Sequence, residues 1–301
     1  MSYNAEHFPP EQVSAANLEL DGLIQEQNHL LDFLREFLMA TNGVDQLANC
    51  YCFVELTVKV RLNMEVANDL LPKLQEDYRF KTSINLIYRS IIDDLISMFY
   101  LSGFVLKDDA KQIPLSNELA ILHKEFLSSS TKGIDADNAH LEYIHEMLNE
   151  SPPQISDFRQ GIIAENPELF ENGMMKNNKT LRETSNPIFQ ELLKDTNGAG
   201  FITEAKKLDF IAEREPNLAQ ALTGLFKYLS RYQHYSPKMH EFVLSDADLD
   251  IQTYKKCLVQ VLHMVDVLLQ FIVLNDPQYF ISYFKEMMAV MSVVNGNHKE
   301  I

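Results

Sequence analysis

The chain has 301 residues, 46% of them hydrophobic, with 10 Gly, 11 Pro and no Trp. That length and apolar content suffice to bury a large core, and the low Gly content with few alternating apolar runs points to an all-α protein. The formal net charge of −17 repels phosphates, which argues against broad nonspecific binding to nucleic acid or to anionic membranes.

Residues 1–10 read as a flexible leader ending in Pro9-Pro10. It lacks the basic and apolar regions of a signal peptide. A first helix is expected from Glu11 to about Ala40, with Leu23, Leu30, Leu34 and Phe37 in its apolar stripe and Asn42-Gly43 as a stop. A second runs from about Asp45 to Leu70, carried by Phe53, Val60 and Met64, with Pro72 marking its boundary.

The third, Phe80 to Phe104, is apolar almost all round, as expected of a central helix in a bundle. At about 100° per residue, Ile84, Ile91, Leu95 and Met98 share one arc. Arg89, Asp93, Ser97 and Asp94 lie on the opposite one, with Leu86, Ile96 and Tyr100 mixed among them. Arg89 and Asp93 stand at i and i+4, so each can neutralise the other, whereas Asp94 needs a different partner. Such a pair is either a structural register lock or part of a binding or catalytic pocket.

Further helices are expected over Ser116–Ser128 and Asp137–Asn149, separated by a loop at Ser128–Gly133. Residues 151–178 lack periodicity and read as an irregular connector with room for one short helix. Helices follow over 180–194, over 202–213, from Asn217 to about Tyr235, and over 248–275. The last runs from Asp276-Pro277 to about Val294, before a tail at 295–301. The whole is an all-α helical bundle of eight or more helices, with 11–294 as a single helical domain.

The stretch Cys257–Leu274 is the nearest approach to a membrane span, and Gln260, His263, Asp266 and Gln270 interrupt it. Cys50, Cys52 and Cys257 have no repeated spacing and read as reduced thiols. Together these features predict a cytoplasmic protein with no membrane association.

There is no Gly-rich phosphate loop, no HExxH, no paired CxxC and no GxSxG, so neither a cofactor nor a metal is expected. His140 and His145 diverge by about 140° on a helix, which is poor ligand geometry. The informative polar cluster closes the 217–235 helix, in LSRYQHYS. His234 can titrate near neutral pH and serve as an acid or base. Tyr228, Arg231, Tyr235 and Ser236 are types that hold an anion by hydrogen bonds and stacking. The alternative is a plain helix end, with His234 on orphan carbonyls and the tyrosines burying their rings.

Two stretches, Tyr88-Arg89-Ser90-Ile91-Ile92-Asp93 and Leu229-Ser230-Arg231-Tyr232-Gln233-His234-Tyr235-Ser236, resemble a bacterial family of all-helical proteins similar to the HEPN superfamily. The resemblance covers about residues 45–105 and 217–275 and implies a HEPN-like core. Active HEPN nucleases carry an Arg and a His a few residues apart on one helix. Here Arg231 and His234 have two residues between them and Arg231 and His240 have eight, so RNA cleavage is not carried over.

Two readings of function follow. One is a non-catalytic ligand-sensing or interaction module of a bacterial stress or defence system, with a protein partner or a small anionic ligand. The other is a HEPN-like enzyme on RNA or a nucleotide, with His234 as acid or base, Arg89 on phosphate and Asp93 orienting one of them. The apolar stripe of Phe280, Phe284, Met287 and Met291 suggests core packing or a homodimer.

Overall fold

The computed structural model describes residues 10–41, 51–77, 79–103, 115–150, 158–172, 174–176, 203–234 and 248–275. These residues form eight α-helices. They are α1 (Pro10–Thr41), α2 (Tyr51–Leu70), α3 (Phe80–Ser102), α4 (Leu115–Leu148), α5 (Phe158–Glu165), α6 (Glu204–Ala212), α7 (Pro216–Ser230) and α8 (Asp248–Asn275). The protein is all-α, as the composition predicts. The expected helices over 180–194 and 277–294 lie outside the described residues, as does the C-terminal apolar stripe.

The chain divides into two compact units, 1–103 with 207–301, and 104–206. In the first, α3 packs against α2, α7 and α8, and α1 packs against α2 and α8. The periodicity explains this arrangement. Ile84, Ile91, Ile92, Leu95, Ile96, Met98, Phe99 and Tyr100 are all buried, so α3 has no clean solvent face and needs neighbours on several sides. Each such side chain contributes roughly 1.5–3 kcal/mol when fully buried. In α1, Leu23, Leu30, Leu34 and Phe37 form the expected stripe, and Gln27 lies within it with no exposure.

Pro72 stands near the start of a 3-10 turn, Leu71–Gln75, where its missing N–H and fixed φ are tolerated. Gly103 follows α3 at φ −58°, a conformation open to any residue. Its role is spatial. A Cβ there would lie 1.7 Å from Arg214 Nη1 and 2.7 Å from Phe210 Cε1.

In the second unit, α4 is continuous through the Ser128–Gly133 stretch expected to be a loop. No proline falls between Leu115 and Leu148, and one helical Gly costs only about 1 kcal/mol relative to Ala. The 151–178 connector holds α5, a 3-10 turn at Pro167–Leu169 and a small antiparallel hairpin of β1 (Phe170–Glu171) and β2 (Met174–Met175). Asn172, at φ 52°, begins its tight turn.

Helix α7 ends at Ser230, earlier than the expected Tyr235. The N–H groups of Arg231, Tyr232 and Gln233 donate to the carbonyls three residues back, so the chain tightens into turns. Among the described residues, no helix is long and apolar enough to cross a membrane.

Candidate functional site

Arg89 sits midway along α3 and is 6% exposed. Its Nε donates to Ser230 Oγ at 2.8 Å, and its guanidinium lies 3.7 Å from the centroid of the Phe226 ring. Asp93, one turn on and partly exposed, supplies a charge contact to Nη1 without an aligned hydrogen bond at that oxygen. The i, i+4 spacing explains the Asp93 contact. The Ser230 and Phe226 contacts come from α7, 141 residues away for Ser230. They place the guanidinium between two helices with stacking on one face and polar contacts at its edges.

Asp94 faces elsewhere, as the helical wheel implies. Lys59 Nζ on α2 donates to its Oδ1 at 2.7 Å. Burial raises the Asp94 carboxyl above the ordinary carboxylate value, and the exposed Lys59 ammonium only partly opposes that. Its Oδ2 is buried without a hydrogen bond.

A second polar centre forms around Asp250, in the first turn of α8 and 1% exposed. Its Oδ1 accepts hydrogen bonds from Asn85 Nδ2 at 3.0 Å, Tyr228 OH at 3.0 Å and Tyr232 OH at 2.9 Å. Lys81 Nζ, wholly buried, lies 3.5 Å from its Oδ2. Thus one carboxylate ties α3, α7 and the turn after α7 to α8. The helix N-terminus adds a favourable field for that negative charge.

Burial, then the Asp250 charge, pushes the Tyr228 and Tyr232 phenols well above the ordinary tyrosine value. Both therefore remain donors at neutral pH. Tyr254 is raised for the same reasons, in the same order. Its ring stacks on Tyr88 at 4.4 Å between centroids and 8° between planes, and its hydroxyl is buried without a hydrogen bond. Tyr88 donates to Gln27 Oε1, and Gln27 Nε2 donates to the Met64 carbonyl at 2.7 Å. A chain of polar contacts therefore links α1 and α2 to α3 through the core.

A cleft of about 420 Å³ lies between α7 and α8. Gln220, Ala221, Gly224, Leu225 and Tyr228 line it from α7; Leu249, Thr253, Lys256, Val259 and Gln260 line it from α8. Tyr228 belongs to both the cleft wall and the Asp250 centre.

The residues singled out by sequence fall in different places. Arg89 and Asp93 touch each other, and Arg89 reaches Ser230. His234 is exposed in the turns beyond α7, and no hydrogen bond or ion pair joins it to Arg89 or Asp93. Arg231 is exposed, with its guanidinium 5.3 Å from the Tyr228 ring centroid. Tyr235 and Ser236 lie outside the described residues. Lys81, Asn85 and Asp250 were not anticipated. A signal existed for the first two: Lys81, Asn85 and Tyr88 recur at helical spacing along one face of α3. Asp250, near a helix start, reads in sequence as an ordinary solvated acid.

Among the described residues, no group of three or more His, Cys, Asp or Glu side chains could hold a metal ion. Cys257 is a buried free thiol, and burial pushes it up. No family model, curated protein or solved structure matches the chain. The class that fold and site define is an all-α helical bundle with a buried polar centre joining α3, α7 and α8.

Proposed function

We propose that this protein is a non-catalytic ligand-sensing module of a bacterial stress or defence system, a reading that the absence of catalytic motifs and the acidic, helix-rich sequence support. The observation that carries this reading is the α7–α8 cleft, whose wall residue Tyr228 also donates to Asp250. A molecule in that cleft would touch a side chain bonded into the core, giving occupancy a route to α3. Ligand sites of this kind are concave, largely apolar and marked by a few placed polar groups. Native mass spectrometry of the full chain tests the reading, with a retained small molecule expected. Turnover of RNA or a nucleotide by the wild-type protein would overturn the non-catalytic part of it.

A HEPN-like enzyme is the second reading, and the Arg89–Ser230 hydrogen bond favours it by joining the two stretches that carry the resemblance. In that reading Arg89 binds phosphate, Asp93 orients it and His234 moves the proton. Opposing it, Arg89 is already engaged by Ser230, Phe226 and Asp93, while His234 is exposed and bonded to none of them. His234→Ala should then leave any measured turnover unchanged; a folded His234→Ala protein that lost wild-type turnover would reinstate the enzyme.

A further inference from the structure

We infer that the C-terminal half of α4 is a docking face for a cationic amphipathic helix of a partner protein. The face lies within the second unit and is separate from the α7–α8 cleft. It is built from residues 141–148, LEYIHEML. Leu141, Tyr143, Met147 and Leu148 are between 42% and 66% exposed, and Ile144 among them is half-buried. At about 100° per residue, these five side chains fall within roughly 160° of the helix surface. Asp137 and His140, one turn before Leu141 and Ile144, are the polar members of that arc between 137 and 148. Glu142 and Glu146 fall on the opposite side, and both are exposed. A helix patterned in this way turns its apolar arc to a core. Here α5 packs against α4, yet the apolar arc and the acidic one both remain open.

This exposure is not the fraying of a loose helix end. Asn149 takes φ 54°, its N–H donates to the Glu146 carbonyl at 3.2 Å, and the Glu150 N–H donates to the His145 carbonyl at 3.0 Å. These two bonds form the Schellman closure of an α-helix. An apolar contact commonly spans the first and last positions of that motif. Those positions hold His145 and Glu150 instead, with Nδ1 and Oε2 3.4 Å apart. Met147 and Leu148 therefore take no side-chain part in the closure. Leu141, Ile144 and Leu148 stand at i, i+3 and i+7, the spacing by which one helix seats on another. Tyr and Met, which flank that line, are enriched at protein interfaces.

Charge selects the occupant. Residues 132–150 hold Asp135, Asp137, Glu142, Glu146 and Glu150 against Lys132 alone. A second copy would set acid against acid, and an anionic membrane would be repelled. Lys or Arg side chains of a partner are favoured beside Asp137, which lies on the face itself, and near the negative end of the α4 dipole.

Fluorescence anisotropy on the full chain tests this, with a labelled peptide of about five helical turns that carries Leu on one face and Lys on the other. Wild type should bind it saturably. A Leu/Glu counterpart and an Ala/Lys helix of the same charge should each bind at least about tenfold more weakly. The triple variant Tyr143→Gln, Met147→Gln, Leu148→Gln should lose at least about tenfold in affinity for the Leu/Lys peptide. Its melting temperature should not change, because the three side chains are exposed and Gln suits a helix. Leu62→Gln with Val66→Gln, which removes exposed apolar side chains from α2, should bind like wild type. Asp137→Asn should weaken binding and lessen its dependence on salt. If the triple variant fails to fold, Met147→Gln alone carries the test, with a loss of about threefold expected.

Equal affinity of wild type for the Leu/Lys and Ala/Lys peptides overturns the apolar docking face. A folded triple variant with wild-type affinity, or an α2 variant with an equal loss, overturns its placement on α4. Tight binding of the Leu/Glu peptide overturns the cationic partner. A dimer in sedimentation velocity that the triple variant abolishes gives the face to a second copy instead. A marked fall in the triple variant's melting temperature overturns the premise that the face is open within the chain.

Discussion

Asp250→Ala is the perturbation that most directly tests the buried centre. It removes the acceptor of three hydrogen bonds, from Asn85, Tyr228 and Tyr232, and the carboxylate facing the buried Lys81 ammonium. Breaking a buried ion pair by deleting one partner typically costs about 3–5 kcal/mol. The three donors add to that, though not additively, since all share one oxygen. Against a whole-domain stability of roughly 5–15 kcal/mol, this is a large fraction. Asp250→Asn keeps an acceptor oxygen but loses the charge, so its cost should fall between wild type and Asp250→Ala. Urea titrations followed by helical circular dichroism would measure each midpoint and slope. Adding Lys81→Met to Asp250→Asn should return at least about 1 kcal/mol relative to the sum of the single costs, because a buried ammonium no longer faces a neutral amide. The reasoning is refuted if Asp250→Ala costs under about 1 kcal/mol, or if Lys81→Met and Asp250→Asn add within about 0.5 kcal/mol.

Gly103→Ala places a methyl group against Arg214 and the 1%-exposed Phe210 ring, and should cost about 1–3 kcal/mol by overpacking in a thermal melt. Arg214→Ala in the same chain should return part of that loss, since the closest clash is with its guanidinium; no recovery would leave Phe210 as the obstacle. Ser230→Ala deprives the buried Arg89 Nε of its acceptor and should lower stability by about 1–3 kcal/mol, measured by urea titration, while Ser230→Thr retains the hydroxyl and should lose less. For Asp94 the folded carboxyl is raised, so the native state holds the proton more tightly than the unfolded chain. Its contribution to stability is therefore most favourable below the unfolded value, near pH 4, and declines as pH rises through the raised folded value. Asp94→Asn should flatten that part of the stability–pH curve and be neutral or stabilising at pH 7; a clear destabilisation there would show that the Lys59 contact outweighs the cost of burial.

Periodicity exposes the central helix because α3 is buried on nearly every side, and apolar side chains on several arcs of one helix require neighbours on each of them. It also pairs Arg89 with Asp93, since i, i+4 neighbours on a helix need no tertiary information. Ser230 and Phe226 are different. Nothing local in α3 announces contacts made by a helix 141 residues further along. The Asp250 centre was hidden for a related reason. Polarity alone marks Lys81 and Asn85 as outward residues, yet their spacing puts them on the buried arc of Tyr88 and Ile92, where Asp250 of α8 meets them. The expected break in α4 failed in the opposite direction. Ser128–Gly133 is rich in loop-forming residues, but weak individual preferences yield to a helix that continues on both sides.

The two polar centres answer to different constraints, and that difference bears on function. Arg89 is held at its edges and on one face, with a partly exposed carboxylate beside it, so solvent can moderate the loss of one partner. Asp250 has less relief, because Asn85, Tyr232 and the Lys81 ammonium are buried with it and only Tyr228 reaches the cleft wall. A displacement of Tyr228 therefore matters more than one of Arg231, although the two side chains adjoin. Moving Arg231 disturbs a solvated guanidinium, whereas moving Tyr228 takes a donor from an enclosed carboxylate. Of the residues that line the α7–α8 cleft, Tyr228 is the one whose hydroxyl enters this centre. Tyr228→Phe separates the two roles, since it keeps the ring in the cleft wall and removes only the hydrogen bond. It should lower stability by about 1 kcal/mol while leaving the cleft's shape unchanged. A retained small molecule in the native mass spectra of both wild type and Tyr228→Phe, despite that loss of stability, would show that the hydroxyl acts on the core alone; its loss from Tyr228→Phe would couple the cleft to Asp250.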